Sequence, residues 1–236
     1  MCNGSIMDKL ISFSLPLMVS GILQLAFNAV DIIVVGRFSG SQALAAVGST
    51  TALINVFTNL FIGISLGANV LAARFYAAGK DREMSETVHT SITLALISGI
   101  MMAVIGVLLA KWALEIMGTP DDVIGQSALY MRIYFMGMPF FMLYNYGAAI
   151  LRAIGDTKRP LIFLIISGIA NAALNMTLVI IFHMGVAGVA IGTIISQLIS
   201  CVLVLTCLYR SEGSYQLRFS KLKINGAYME QIFQVG

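Results

Sequence analysis

Long runs of uncharged, mostly apolar residues alternate with short charged segments along this 236-residue chain. The uncharged runs cover residues 10–30, 38–73, 87–110, 133–151 and 160–209. A helix needs about 20 apolar residues to cross the hydrocarbon core of a bilayer. The 50-residue run 160–209 therefore holds two spans, which meet at HMGVAG, residues 183–188. The run 38–73 holds one span and an entry loop.

The pattern predicts an all-α integral membrane protein built as a bundle of six transmembrane helices. The predicted helices cover residues 9–36, 43–75, 87–111, 122–151, 160–182 and 187–209. We assign residues 1–209 to one six-helix lobe and residues 210–236 to a polar cytoplasmic connector. MEQIF at 229–233 echoes MDKLI at 7–11, so the connector is also expected to begin a second lobe, whose remainder is absent. Six crossings return the chain to the side of the membrane on which it began. A second lobe would therefore enter with the same orientation and be a parallel repeat of the first.

Composition and charge exclude a soluble domain and predict the orientation. Hydrophobic residues make up 58% of the chain and charged residues 11%, against roughly 45–50% and 25% in soluble domains. With the N-terminus in the cytoplasm, 11 of the 14 cationic residues fall on the inside, leaving Arg37, Lys111 and Arg132 outside. The positive-inside rule then predicts a multi-pass protein of the plasma (cytoplasmic) membrane with both termini cytoplasmic. The net charge of +3 follows from this topology, so we expect no nucleic-acid partner.

Polar residues recur on one face of several predicted helices. These polar stripes are Ser20, Gln24, Asn28 and Asp31 in the first helix; Thr51, Asn55 and Asn59 in the second; Tyr134 and Asn145 in the fourth; Ser167, Asn171 and Asn175 in the fifth; and Thr193, Gln197 and Ser200 in the sixth. Lipid would leave such groups without hydrogen-bond partners. The stripes therefore favour a shared hydrated interior. The alternative is a set of ordinary hydrogen bonds between helices.

Asp31 is the charged end of the first stripe, and a carboxylate inside a membrane span points to function. Its functional interpretation is a proton or cation site open to a cavity, so Na⁺ or H⁺ is a candidate ligand. The structural alternative is an ion pair with Arg132, expected at similar depth, or Arg132 extending outward to the membrane surface with Asp31 bonded to amides. Pro16 removes a backbone donor from the first helix and is a candidate hinge.

An enzyme is not expected. The chain contains no H-E-x-x-H, G-x-S-x-G or P-loop motif and no Cys/His spacing for a metal. Its histidines, His89 and His183, fall near helix ends on opposite sides of the membrane in the predicted topology. We therefore predict no catalytic residue, no cofactor and no resident metal.

Four stretches resemble the MATE (multidrug and toxic compound extrusion) transporters. They are SLPLMVSGILQLAFNAVDIIVVGRFSGSQALAAVG, ARFYAAGKD, YNYGAAILRAIGDTKRPL and NAALNMTLVIIFHMGVAGVAIGTIISQ. The resemblance implies a twelve-helix protein of two lobes, of which this chain would be the N-terminal one. It also implies export of drugs or other organic, often cationic, compounds by alternating access, in exchange for protons or sodium.

The resemblance assigns roles to particular residues. Asp31 matches the first-helix aspartate implicated in coupling, and Pro16 matches a proline associated with bending. Asn171 and Thr193 match polar members of the same cluster, and Asn145 matches less securely. The family often has N-x-x-L-D where this chain has NAALN, so Asn175 replaces a second carboxylate. Asp31 would then be the only proton carrier expected in this lobe.

Two other functions fit the sequence less well. A flippase of the related superfamily would move a lipid-linked oligosaccharide and favour a cationic cavity, whereas Arg132 is the one candidate cation here. A stand-alone six-helix scaffold or sensor subunit would need no second lobe.

Overall fold

The computed structural model describes residues 6–236, except for the side chains of Ile6 and residues 8–10. Residues 1–5, which include Cys2, and the side chain of Lys9 lie outside the described part. The helices are α1 (Ile6–Phe38), α2 (Gly40–Ala77), α3 (Asp81–Ile116), α4 (Asp121–Met136), α5 (Met138–Ala153), α6 (Lys158–Met176), α7 (Gly185–Arg210) and α8 (Gly226–Val235). A π-helical turn, Thr177–Ile181, extends α6, and a 3-10 turn covers Phe219–Lys221.

Every described regular element is helical, which confirms the predicted all-α membrane fold. Five helices are long and apolar enough to cross a membrane: Ile11–Phe38, Gly40–Ala77, Asp81–Ile116, Lys158–Ile181 and Gly185–Arg210. The α4–α5 pair occupies the place of the remaining predicted span. The first, second, third and sixth predicted helices extend beyond their predicted bounds, because polar and charged residues continue them past the apolar core. The fifth, predicted at 160–182, begins at Lys158 and ends with the π-helical turn at Ile181.

The predicted fourth helix, 122–151, is divided at Gly137 into α4 and α5. Pro139 has no backbone N–H and cannot bond the carbonyl four residues earlier, so the hydrogen-bond ladder breaks just before it. Gly137 instead donates to the Tyr134 carbonyl, at 3.0 Å. A Cβ on Gly99 of α3 would lie 2.6 Å from the Cα of Pro139. A glycine at 99 thus lets α3 approach the break.

Helix α5 forms the centre of the bundle and α1 lies at its edge. α5 packs against α2, α3 and α7, and its Tyr146, Ile150 and Leu151 are fully buried. α1 packs mainly on α6 and α2, and only 11% of its span is buried, against 28–44% for the other spans. The polar face of α1 is therefore only partly covered within this chain.

The connector folds back onto the bundle. After α7 ends at Arg210, α8 packs against α2 and α3 and buries Ile232 completely. Gly67 of α2 gives α8 room, because a Cβ at that position would overlap the Ile232 carbonyl. Asn225 caps α8 by accepting from the Ala227 N–H at 3.1 Å. The connector is thus a packed element joined to the lobe.

Candidate ion-coupling cavity

One cavity inside the bundle collects residues from α1, α2, α4, α5, α6 and α7. Its volume is about 290 Å³. Its polar lining residues are Gln24, Asn28, Asp31, Asn55, Thr58, Asn59, Tyr130, Tyr134, Tyr144, Ser167, Asn171, Thr193, Ser196, Gln197 and Ser200. Among these described lining residues, Asp31 is the one charged side chain. The cavity therefore combines many neutral hydrogen-bonding groups with a single carboxylate.

Asp31 is joined to α6 and α7 through a chain of amide hydrogen bonds. The Asn175 amide donates to Asp31 Oδ1 and, at 3.3 Å, to Asn171 Oδ1. The Asn171 amide in turn donates to Thr193 Oγ1 at 3.5 Å. Residues 171 and 175 lie one turn apart on α6, so both amides face the same neighbours. The carboxylate, which lies about two turns before the end of α1, is thereby tied to two other helices.

The position of Asn175 depends on close packing with α7. Asn175 is fully buried, and a Cβ on Gly192 would overlap its amide oxygen. A glycine at 192 leaves room for this amide beside α7. The sequence therefore places Asn175 behind the cavity wall, where it orients Asp31.

Two amide oxygens near the cavity have no hydrogen-bond partner among the described residues. They are Asn175 Oδ1 and Gln197 Oε1, both buried. A buried acceptor without a partner costs about 1–3 kcal/mol. Both side chains therefore carry an acceptor that the described residues leave unused.

Seven of the predicted site residues line the cavity together. They are Gln24, Asn28, Asp31, Tyr134, Asn171, Thr193 and Gln197. Asn145 of α5 is not brought to it, because its amide donates at 2.8 Å to the Phe141 carbonyl of its own helix. Pro16 lies within α1, which continues as one helix past it, and Ser20 Oγ donates to the Pro16 carbonyl at 2.7 Å. Its role as a hinge stays a prediction.

The alternative ion pair between Asp31 and Arg132 does not form. Arg132 is exposed on α4, and no salt bridge joins it to Asp31 in the described part of the chain. Asp31 is hydrogen-bonded to the Asn175 amide instead, and this arrangement is the second form of the structural alternative predicted from the sequence. The carboxylate therefore keeps no fixed cationic partner among the described residues.

Sequence reasoning identified Tyr134 but missed two other tyrosines of the lining, Tyr130 and Tyr144. Tyr130 lies one turn before Tyr134, and the two rings are 6.1 Å apart. Their i, i+4 spacing was a signal that could have identified Tyr130. Tyr144 donates to the Pro160 carbonyl at 3.1 Å, a contact between helices that no sequence spacing indicates.

Known proteins similar to this chain are named as multidrug resistance or multidrug export proteins. The MatE family model matches residues 16–177. "Probable multidrug resistance protein YoeA" of Bacillus subtilis (strain 168) is 34% identical over 89% of this chain and 46% of its own length. "Multidrug export protein MepA" of Staphylococcus haemolyticus is 27% identical over 99% of this chain and 52% of its own length. This chain spans about half the length of these relatives.

Solved structures share the fold. A MATE crystal structure in the bent conformation matches with a TM-score of 0.91 and 21% identity, over 98% of this chain and 52% of that one. A MOP superfamily transporter from Pyrococcus furiosus matches with a TM-score of 0.90 and 21% identity, over 98% and 51%. At this identity the likeness concerns the fold alone. The family model and the Bacillus relative show the family, and the chain belongs to the MATE family.

Proposed function

We propose that this chain is one lobe of a secondary active efflux transporter that exports drugs or other organic, often cationic, compounds. Inward flow of protons or sodium would drive export by alternating access. The observation that carries the proposal is Asp31, the single carboxylate in a cavity lined otherwise by neutral polar and aromatic groups. The names of the relatives, multidrug resistance and multidrug export proteins, support the same substrate class.

Asp31 can serve as an exchange point between an ion and a cationic substrate. An intramembrane carboxylate is favourable when a proton, a metal cation or an organic cation neutralises it. The Asn175 amide donates to the Asp31 side chain and holds its orientation. Proton or sodium binding at Asp31 would then compete with an organic cation, which couples uptake of one to release of the other. Tyr130 and Tyr134 would provide aromatic faces for that cation.

Alternating access requires a second lobe opposite this cavity. Gln24, Asn28, Asn55 and Asn59 line the cavity yet remain exposed within this chain. A second six-helix lobe, related to the first as a parallel repeat, would cover these groups and complete the substrate site. We therefore propose that this lobe does not transport by itself.

The proposed orientation places both termini in the cytoplasm. The α2–α3 turn and the connector lie at the same end of the bundle, where α8 packs on α2 and α3. This end carries Arg74, Lys80, Arg82, Lys221 and Lys223, in line with the positive-inside rule.

Neither alternative gains support from the geometry. A flippase for a lipid-linked oligosaccharide would need cations for phosphate, and the described lining of the cavity contains none. The open side of the cavity presents a carboxylate and several amides. A stand-alone scaffold or sensor does not require such a polar opening.

Transport in vesicles tests the proposal. A two-lobe protein with this chain as its first lobe is reconstituted, and efflux of a fluorescent organic cation is measured under a proton gradient and, separately, under a sodium gradient. Efflux driven by either gradient supports the proposal and identifies the ion. Equal efflux with and without both gradients would contradict it.

A further inference from the structure

A second and larger cavity, the connector groove, lies outside the bundle between the start of α3 and the connector. Its volume is about 780 Å³. Its lining includes Arg82, Glu86, His89, Lys221, Lys223 and Asn225. None of these residues belongs to the cavity around Asp31, so the groove is a separate feature.

Hydrogen bonds between α3 and the connector fix the shape of the groove. His89 is 4% exposed; its Nε2 accepts from the Arg218 backbone N–H at 3.1 Å, and its Nδ1 pairs with the Ser85 carbonyl at 2.6 Å. The Asn225 amide donates to Glu86 Oε2 at 2.8 Å, and the Asn225 backbone N–H donates to Thr90 Oγ1 at 3.3 Å. These hydrogen bonds join α3 to the connector and so hold the two sides of the groove in place.

The charges at the rim of the groove favour an anion. Arg82, Lys221 and Lys223 are exposed, and Arg82 has 88% of its side chain accessible. The single acid in the lining, Glu86, is already bonded to Arg82 and Asn225. The lining therefore has three cationic side chains and one carboxylate, and that carboxylate already has partners. The ammonium groups of Lys221 and Lys223 and the remaining guanidinium N–H groups of Arg82 can donate to a phosphate.

The same face of α3 continues from the groove into the membrane. Arg82, Glu86 and His89 are followed at helical spacing by Ile97, Ile100, Val104 and Leu108, a lipid-facing stripe. These four apolar side chains are 48%, 49%, 53% and 72% exposed. Tyr209 and Phe219 stack on each other at the same end, and both are more than half exposed, as is typical of aromatic residues at a membrane interface. A ligand in the groove could thus lay an acyl chain along α3.

We propose that the connector groove binds the phosphate headgroup of an anionic phospholipid, with an acyl chain along the lipid-facing stripe of α3. Arg82 from α3 and Lys221 and Lys223 from the connector contact the phosphate together. The bound lipid thereby links the connector to the bundle. Basic segments beside membrane helices attract anionic lipids in this way. The proposal does not depend on transport.

Native mass spectrometry of the purified chain in detergent tests this site. The chain is titrated with phosphatidylglycerol, phosphatidylcholine, glycerol 3-phosphate and inorganic phosphate, each in turn. We expect preferential binding of phosphatidylglycerol. Each lysine near an anionic surface contributes about fivefold in affinity, so Lys221→Gln with Lys223→Gln should weaken phosphatidylglycerol binding about 25-fold.

Matched variants separate the groove from general surface charge and from misfolding. Lys158→Gln with Arg210→Gln removes the same charge at exposed positions outside the groove and should leave the affinity within twofold of the unaltered chain. Lys221→Arg with Lys223→Arg should retain binding. Glu86→Gln keeps the contact with Asn225 and should tighten binding by about fivefold, a gain that unfolding cannot produce.

Three results would overturn the proposal. Equal binding of phosphatidylglycerol and phosphatidylcholine would exclude an anion site. If the Lys221→Gln with Lys223→Gln variant and the Lys158→Gln with Arg210→Gln variant lose the same affinity for phosphatidylglycerol, that result would assign binding to diffuse surface charge. Glycerol 3-phosphate or inorganic phosphate binding as tightly as the lipid would make the groove a site for soluble phosphates.

Discussion

At the scale of single residues, the function proposed here depends on how Asp31 is held. Its carboxylate faces a polar cavity, and its described partner is an amide rather than a cation. A cationic partner would hold Asp31 permanently ionised and prevent exchange. An amide can orient the carboxylate while leaving its charge free to be neutralised by a passing ion.

Asn175→Ala should destabilise the lobe and disturb Asp31. Loss of this amide removes the donor to both the half-buried Asp31 and the buried Asn171, and the unpaired Asn171 oxygen should cost about 1–3 kcal/mol in the free energy of unfolding. Asn145→Ala is the matched control, because its amide bonds only within its own helix, and it should cost less than about 1 kcal/mol. Unfolding in detergent measures both. An equal loss of stability in the two variants would contradict the assignment.

Gly192→Ala should displace Asn175 from Asp31. The added methyl group would overlap the Asn175 amide oxygen, and overpacking of this kind costs about 1–3 kcal/mol. Gly125→Ala is the control, because its methyl group would meet no atom within 4 Å. Alanine favours a helix more than glycine does, so the free energy of unfolding should rise by less than about 1 kcal/mol. The shift in Tm in detergent distinguishes them. A Gly192→Ala variant as stable as the unaltered lobe would show that α7 can shift away from Asn175, and it would contradict the prediction.

At the scale of helices, the polar stripes of α1, α2, α6 and α7 predicted which faces line the cavity, whereas the predicted Tyr134–Asn145 stripe failed at Asn145. Contacts between distant segments could not be predicted. Ser167, Asn171 and Asn175 lie on one buried face as their spacing indicates, because four residues make about one helical turn. The break at Gly137 had a local signal in Pro139, but the length of the apolar pattern favoured one helix. The bonds of His89 and Tyr144 depend on segments far away in sequence, and helical periodicity contains no information about them.

Gly99→Ala should weaken packing at the break between α4 and α5. Its Cβ would lie 2.6 Å from the Cα of Pro139, and backbone atoms next to a proline cannot move aside as a side chain can. We expect a loss of about 1–3 kcal/mol in the free energy of unfolding. Gly48→Ala in α2, where a Cβ would meet nothing within 4 Å, should be neutral or stabilising. A fully stable Gly99→Ala variant would mean that α3 and α5 can separate without cost.

At the scale of the whole molecule, the chain is an integral membrane lobe of the MATE family whose central cavity is open on one side. α1 is the least buried span and carries Asp31 near its end. A helix with few fixed contacts can move relative to the rest of the lobe when its charge is neutralised or when a second lobe packs against it. For the proposed exchange, we predict that movement of α1, with Pro16 as a hinge, connects ion binding to a change of access.

Labelling of engineered cysteines tests the orientation. With Cys2, Cys201 and Cys207 replaced by serine, Glu212→Cys should react with a membrane-impermeant maleimide only after cells are opened, because the connector is predicted to be cytoplasmic. Lys111→Cys should react in intact cells, because the end of α3 is predicted to face outside. Both positions belong to exposed residues. The reverse labelling pattern would invert the topology.

The central claim is that Asp31 exchanges an ion for a cationic substrate, and one variant tests it most directly. In vesicles containing a two-lobe protein with this chain as its first lobe, Asp31→Asn preserves the size of the side chain but cannot release a proton or carry a charge. Under the gradient that drives the unaltered protein, we predict that Asp31→Asn reduces coupled efflux at least about tenfold, a difference of about 1.4 kcal/mol. Asp122→Asn, at an exposed position in the first turn of α4, should leave efflux unchanged. Full ion-driven efflux by the Asp31→Asn variant would contradict the account.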